Sequence, residues 1–116
     1  MSRDYRLYLD DMLIALEKVL RFTQGVDLAH FVDDERTFDA VVRNLEIIGE
    51  AAKHIPAAVQ ARYPDVEWRS IAGLRDIVAH EYFGIDEDIL WDIIIHQVPA
   101  LLTRVRQILK REGFEE

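Results

Sequence analysis

Leu9, Leu13, Leu16 and Leu20 stand three or four residues apart, and the same spacing carries Phe38, Val41, Leu45, Ile48 and Ala52. That period lines one face of an α-helix with apolar side chains, whereas a strand would need alternation at every second residue. No stretch alternates in that way, none repeats and none is of low complexity. The expected fold is therefore all-α, an up-and-down bundle of four main helices with short helices between them.

The first helix is expected from about Asp4 to Thr23, with Tyr5, Met12 and Val19 joining the leucines and with Asp10, Asp11, Glu17, Lys18 and Arg21 opposite. Gly25 ends it. A short turn over Leu28 to Val32 leads to Asp33 and Asp34, both N-cap candidates, and to a second helix reaching about Ile55. Gly49 inside that helix costs about 1 kcal/mol against alanine, which predicts close helix packing there. Pro56 is suited to open a short helix at its first position. The turn Tyr63-Pro64-Asp65 precedes a third helix, expected over Val66 to Tyr82 and closed by Gly84. The fourth runs from about Asp86 to Lys110, acidic in its first turn and carrying Arg104, Arg106, Lys110 and Arg111 toward its end, as the helix dipole favours. Pro99 lacks a backbone donor and should kink it near Ile95. Over Ile89, Leu90, Trp91, Ile93, Ile94, Ile95 and Val98 the fourth helix is apolar nearly all round, which predicts a second buried face against another subunit.

With 116 residues and 50% hydrophobic content, residues 1–116 suffice for one domain with a real core. There is no Cys, so disulfides, thiolate catalysis and Cys-based zinc sites are excluded and a reducing compartment is permitted. The charged start Met1-Ser2-Arg3-Asp4-Tyr5-Arg6 has no apolar run behind it, and no apolar stretch approaches the ~20 residues of a membrane span, so a soluble, cytoplasmic protein is expected. The formal charge of −8 argues against broad attraction to nucleic acid; any RNA site must be local, and a basic protein would suit the surface better.

The run from Gly73 to Gly84 places a permanent cation, Arg75, a titratable imidazole, His80, and a phenol, Tyr82, within eight positions. At about 100° per residue, with Leu74 as zero, Ile71, Ile77, Val78 and Glu81 form the inner stripe, Arg75 falls near 100° and His80 near 240°. Ala72, Ala79 and Asp76 floor the back face between them, leaving room for a second backbone, of a partner helix or of a nucleic acid. An imidazole with an ordinary pKa of about 6.5 takes or gives a proton near neutrality. A guanidinium offers a donor fork to a phosphate whose charge rises during attack, and neither role requires a metal. Asp76, four residues before His80, is placed either to accept the imidazole N–H and fix its tautomer or to remain a solvated pair. The directions of Arg75 and His80, about 140° apart, favour a site assembled across a two-fold axis.

The spacing of Arg75, His80 and Tyr82 resembles the signature of HepT-like toxins, a branch of the HEPN superfamily of small helical ribonucleases. The segment from Asp34 to Lys53 resembles that family's second long helix, and Trp68-Arg69 with Glu81-Tyr82-Phe83-Gly84-Ile85-Asp86 resembles its third helix and the following turn. The resemblance implies a dimeric toxin of a toxin-antitoxin pair, an endoribonuclease acting without metal or other cofactor. His80 would activate a ribose 2′-hydroxyl or protonate the leaving oxygen, Arg75 would stabilise the phosphorane-like charge, and a 2′,3′-cyclic phosphate would remain. It further implies that Tyr82 is modified with AMP by an MNT-type nucleotidyltransferase antitoxin. The rival is a non-enzymatic HEPN-type module binding a nucleotide or a partner protein, which the −8 charge favours.

Other constellations read as architecture. Asp88, Asp92 and His96 share one helical face and are suited to a divalent ion, but no further ligand pattern joins them, and a polar stripe explains them. His80-Glu81 lacks the second histidine of a zinc protease, since Gly84 stands there. Asp86-Glu87-Asp88 reads as Asp-x-Asp, yet no Gly-Ser dipeptide accompanies it to start a transferase phosphate site. Arg36, Arg43 and Glu50 repeat every seven residues, as an ionic stripe or as part of a phosphate channel.

Overall fold

The computed structural model describes residues 4–81 and 87–114, and for Ala79, His80 and Glu81 the backbone alone. The described residues are helical throughout their regular elements, with no strand among them. Helix α1 (Tyr5–Thr23) starts where the Asp4 side chain accepts the Arg6 amide at 3.0 Å, and stops short of Gly25, whose φ of 73° glycine adopts without a Cβ clash. Of the two expected caps, Asp34 is the one used. Its carboxylate accepts from the Thr37 amide and hydroxyl and opens α3 (Glu35–Lys53), while Asp33 closes α2 (Leu28–Asp33). α4 (Ala57–Arg62) begins one residue later than expected, with Pro56 as its cap.

The core follows the helical period. Leu9, Met12, Leu16 and Val19 of α1 are buried with Val41, Leu45, Ile48 and Ala52 of α3, and Val105 and Ile108 close the layer. Leu13, Leu20 and Phe38 lie half-buried at its edges. Phe31 of α2 is fully buried, its ring 5.3 Å from that of Phe38 and 5.2 Å from that of Trp91.

Two helices expected to be continuous are divided. The third comprises α5 (Trp68–Ala72) and α6 (Leu74–Glu81) with Gly73 between them; its expected last residue, Tyr82, and the closing Gly84 fall outside the described residues. The break lies where the chain crosses α3 at Gly49. A methyl group on Gly49 would stand 3.1 Å from the Ile71 carbonyl oxygen, 3.3 Å from that of Ala72 and 3.3 Å from the Arg75 amide nitrogen. The backbone of residues 71–75 therefore rests on α3 itself, and Gly73, the residue with the weakest helix preference after proline, takes the break. The close packing expected of Gly49 is the arrangement observed.

The fourth consists of α7 (Glu87–Asp92), a π-helical turn (Ile93–Gln97) and α8 (Val98–Arg111); its expected start, Asp86, is outside the described residues. Near Ile95, where Pro99 was expected to disturb the helix, it widens into the π-helical turn. Proline gives no N–H to the Ile95 carbonyl and its ring crowds that group; a turn with one extra residue relieves both, as the Val98 amide bonds to the Ile93 carbonyl. Leu90, Ile93, Ile94 and Val98 then face inward, while Ile89 and Ile95 remain 48% and 45% exposed.

The open end of the bundle is tied by Glu112, just after α8. It accepts hydrogen bonds from Tyr5 Oη at 2.7 Å and Tyr63 Oη at 2.6 Å and is paired with Arg62, joining the start of α1, the end of α4 and the end of α8. Those three donors, the Arg62 guanidinium foremost, hold the Glu112 carboxyl down at about 2. Among the described residues no helix is long and apolar enough to cross a membrane.

Candidate active site

The site residues descend from α6. Leu74 and Val78 are buried, Ile71 and Ile77 half-buried, and Arg75 and Asp76 exposed, so the inner stripe as far as Val78 and the outward direction of Arg75 are as the helical period requires, while the Glu81 side chain expected in that stripe lies outside the described residues. His80 lies in the last turn of α6, five residues after Arg75; its side chain and the whole of Tyr82 lie outside the described residues.

Arg75 occupies the first turn of α6, where its amide lies against Gly49, and its guanidinium Nη1 is 3.5 Å from Oε2 of the adjoining Glu50. The side chain stays 61% exposed, so this is a loose pair in water, worth no more than about 1 kcal/mol. Glu50 also meets His54 Nε2 at 3.2 Å and Lys53 Nζ at 4.0 Å. Arg75 is thus oriented by a carboxylate that a phosphate can replace at small cost.

A groove of about 390 Å³ opens beside this pair, between α1, α3 and α6. Ile47 and Ala51 contribute to its floor, Arg43 and Arg75 flank it, and Asp11, Glu46 and Glu50 bring carboxylates to it. At one side the rings of Tyr8 and His54 are stacked, with centroids 4.8 Å apart and planes 16° from parallel. Of the heptad stripe, Arg43, paired with Glu46 at 3.6 Å, and Glu50 line the groove, whereas Arg36 does not. Sequence reasoning passed over Tyr8 and His54 because they come from helices 46 residues apart and neither helix announces the other.

Asp92 and His96 pair with each other at 2.9 Å on an exposed face of the fourth helix. Among the described residues no group of three or more His, Asp or Glu is arranged to hold a metal ion.

Residues 12–108 match the family model described as "Ribonuclease HepT-like". A Methanocaldococcus jannaschii protein whose name reads "Putative RNase" is 40% identical over 99% of this chain and 96% of its own length. A Thermococcus cleftensis protein named "Probable ribonuclease HepT" is 37% identical over 95% of this chain and its entire length. A Caldanaerobacter subterraneus relative, again named "Putative RNase", is 39% identical over 92% and 96%. No solved structure matches the chain. With its helical fold, its outward Arg75 on α6 and His80 further along the same helix, the chain belongs to the HepT-like ribonuclease family.

Proposed function

We propose that this protein is a metal-independent endoribonuclease, the toxin of a toxin-antitoxin pair, acting in the cytoplasm as a homodimer. The observation that carries the reading is Arg75: a guanidinium exposed at the lip of a groove, fixed at its backbone by Gly49 and held by one displaceable carboxylate. His80 removes the proton of a ribose 2′-hydroxyl, whose oxygen attacks the adjacent phosphorus; Arg75 neutralises the charge that gathers on the phosphorane oxygens. The P–O5′ bond breaks, the leaving oxygen takes a proton from an imidazolium, and a 2′,3′-cyclic phosphate remains. Asp76, exposed on the same helix four residues before His80, accepts the imidazole N–H and fixes its tautomer. The sequence spacing of Arg75 and His80, which at about 100° per residue sets them about 140° apart on a helix, together with outward Ile89 and Ile95, supports a site completed across a two-fold axis.

Tyr82, two residues beyond His80, is the point of control. A separate MNT-type nucleotidyltransferase adds AMP to it: the phenol oxygen attacks the α-phosphorus of ATP, the phenolic proton is lost and pyrophosphate leaves. The new phosphate engages Arg75 and the adenosine blocks the cleft.

The alternative, a helical module that binds a nucleotide or a partner protein without cutting RNA, is favoured by the net charge of −8. Purified protein incubated with total RNA in excess chelator separates the two. Cleavage that persists, and that fails in His80→Ala and in Arg75→Ala with helicity unchanged, supports the nuclease. Cleavage restored only by added magnesium overturns the metal-independent reading, and no cleavage under any condition leaves the binding module.

A further inference from the structure

The groove beside Arg75 has an internal conflict if it is read as a track for the RNA backbone. Among the described residues, Arg43 and Arg75 face three carboxylates there, Asp11, Glu46 and Glu50, so a run of phosphates along this lining would meet more negative than positive charge. A nucleobase meets no such objection. It is neutral, its faces stack on aromatic rings, and its edge N–H groups donate to carboxylates. Tyr8 and His54 supply stacked rings at the side of the groove, and 390 Å³ lies within the roughly 300–1,000 Å³ of ordinary small-ligand sites.

The carboxylates also discriminate between bases. Guanine presents N1–H and N2–H side by side, two parallel donors that match the two oxygens of one carboxylate. Adenine and cytosine set a single amino group beside a ring nitrogen with a lone pair, and uracil flanks its one N–H with two carbonyls, all of which repel a carboxylate. Glu50 is already engaged by Arg75, Lys53 and His54, at 3.2–4.0 Å. Glu46, one turn earlier on α3, has among the described residues an ion pair only with the 72% exposed Arg43.

We propose that this groove is a guanine subsite: the base stacks against the Tyr8–His54 pair, Glu46 accepts from its N1–H and N2–H, and its phosphate reaches Arg75. The inference rests on the ribonuclease reading and names the base beside the bond that is cut.

The test is an NMR titration of the intact protein with each of the four nucleoside 3′-monophosphates, beside a cleavage assay on RNA with mapped cut sites. The guanosine nucleotide should bind at least about fivefold more tightly than the other three. His54→Ala and Tyr8→Ala should weaken it roughly tenfold, with Tyr8→Phe and His54→Phe retaining most of the affinity. Glu46→Gln should bring it to the level of the others. His54 is exposed, so its variants carry the result even if Tyr8→Ala disturbs the core edge. Four nucleotides bound equally, or none bound at millimolar concentration, overturns the subsite, even if RNA is cut. Selective guanosine binding without any RNA cleavage upholds the subsite and sinks the ribonuclease reading instead.

Discussion

Gly49 and Arg75 touch through their backbones: a methyl group on Gly49 of α3 would stand 3.3 Å from the Arg75 amide nitrogen of α6. The next residue along α3, Glu50, then reaches the Arg75 guanidinium. A glycine in mid-helix, unfavourable by itself, thereby fixes the height at which the proposed catalytic cation stands.

Gly49→Ala tests this directly. In an open helix the change would stabilise by about 1 kcal/mol. Here the methyl meets two carbonyl oxygens and an amide that cannot swing aside, at 3.1–3.3 Å, so a net loss of about 1–2 kcal/mol is expected, with cleavage falling as α6 moves. Thermal unfolding decides it: a rise in Tm would show that the α3–α6 contact yields easily.

Arg75→Ala should lower cleavage by roughly 10²–10³ with little change in stability, since the side chain is mostly exposed. Arg75→Lys, which keeps the charge and loses the planar fork, should recover only part of that loss. Single-turnover rates on a defined RNA measure both, and equal rates for Lys and Arg would reduce the role to simple charge.

Glu112 predicts the acid limit of the fold. Its carboxyl is held at about 2 against an ordinary 4.5, so the unfolded chain takes up the proton first and stability falls as pH drops from about 4.5 through 2. Above that window the linkage amounts to roughly 3 kcal/mol. Glu112→Gln should lower stability near neutrality by about 2 kcal/mol and flatten the acid slope, read by denaturant unfolding at stepped pH. An unchanged slope would show that Glu112 titrates alike in the folded and the unfolded chain and would end its role in the acid limit.

Ile89 and Ile95, half exposed on the fourth helix, should be covered by a second copy at micromolar concentration. Light scattering should give at least twice 13.5 kDa, and Ile95→Glu should shift the protein toward the monomer. A 13.5 kDa particle for the unaltered protein would end the dimeric reading.

Tyr82→Phe should retain cleavage yet accept no AMP and escape silencing by the proposed transferase. Mass spectrometry of protein coexpressed with that enzyme checks it. An unmodified Tyr82 peptide in a fully inhibited complex would mean that inhibition works by binding alone.

The spacing of Leu9, Leu16, Val41, Leu45 and Ile48 determined the all-α class and the core, because a helix exposes its period directly in the chain. The spacing of Arg75 and His80 likewise pointed to the family, being local to one helix. The tertiary structure alone decided the rest. Gly73 breaks the third helix where its backbone lies against α3 at Gly49, and the response to Pro99 is a π-turn over Ile93–Gln97, a form that the local sequence did not specify. Nor does any local pattern join Glu112 to Tyr5 across 107 residues, or Tyr8 to His54 across 46. Such pairs form only when separate helices pack, and the energy that packs them is spread over the whole core and not over the residues that meet.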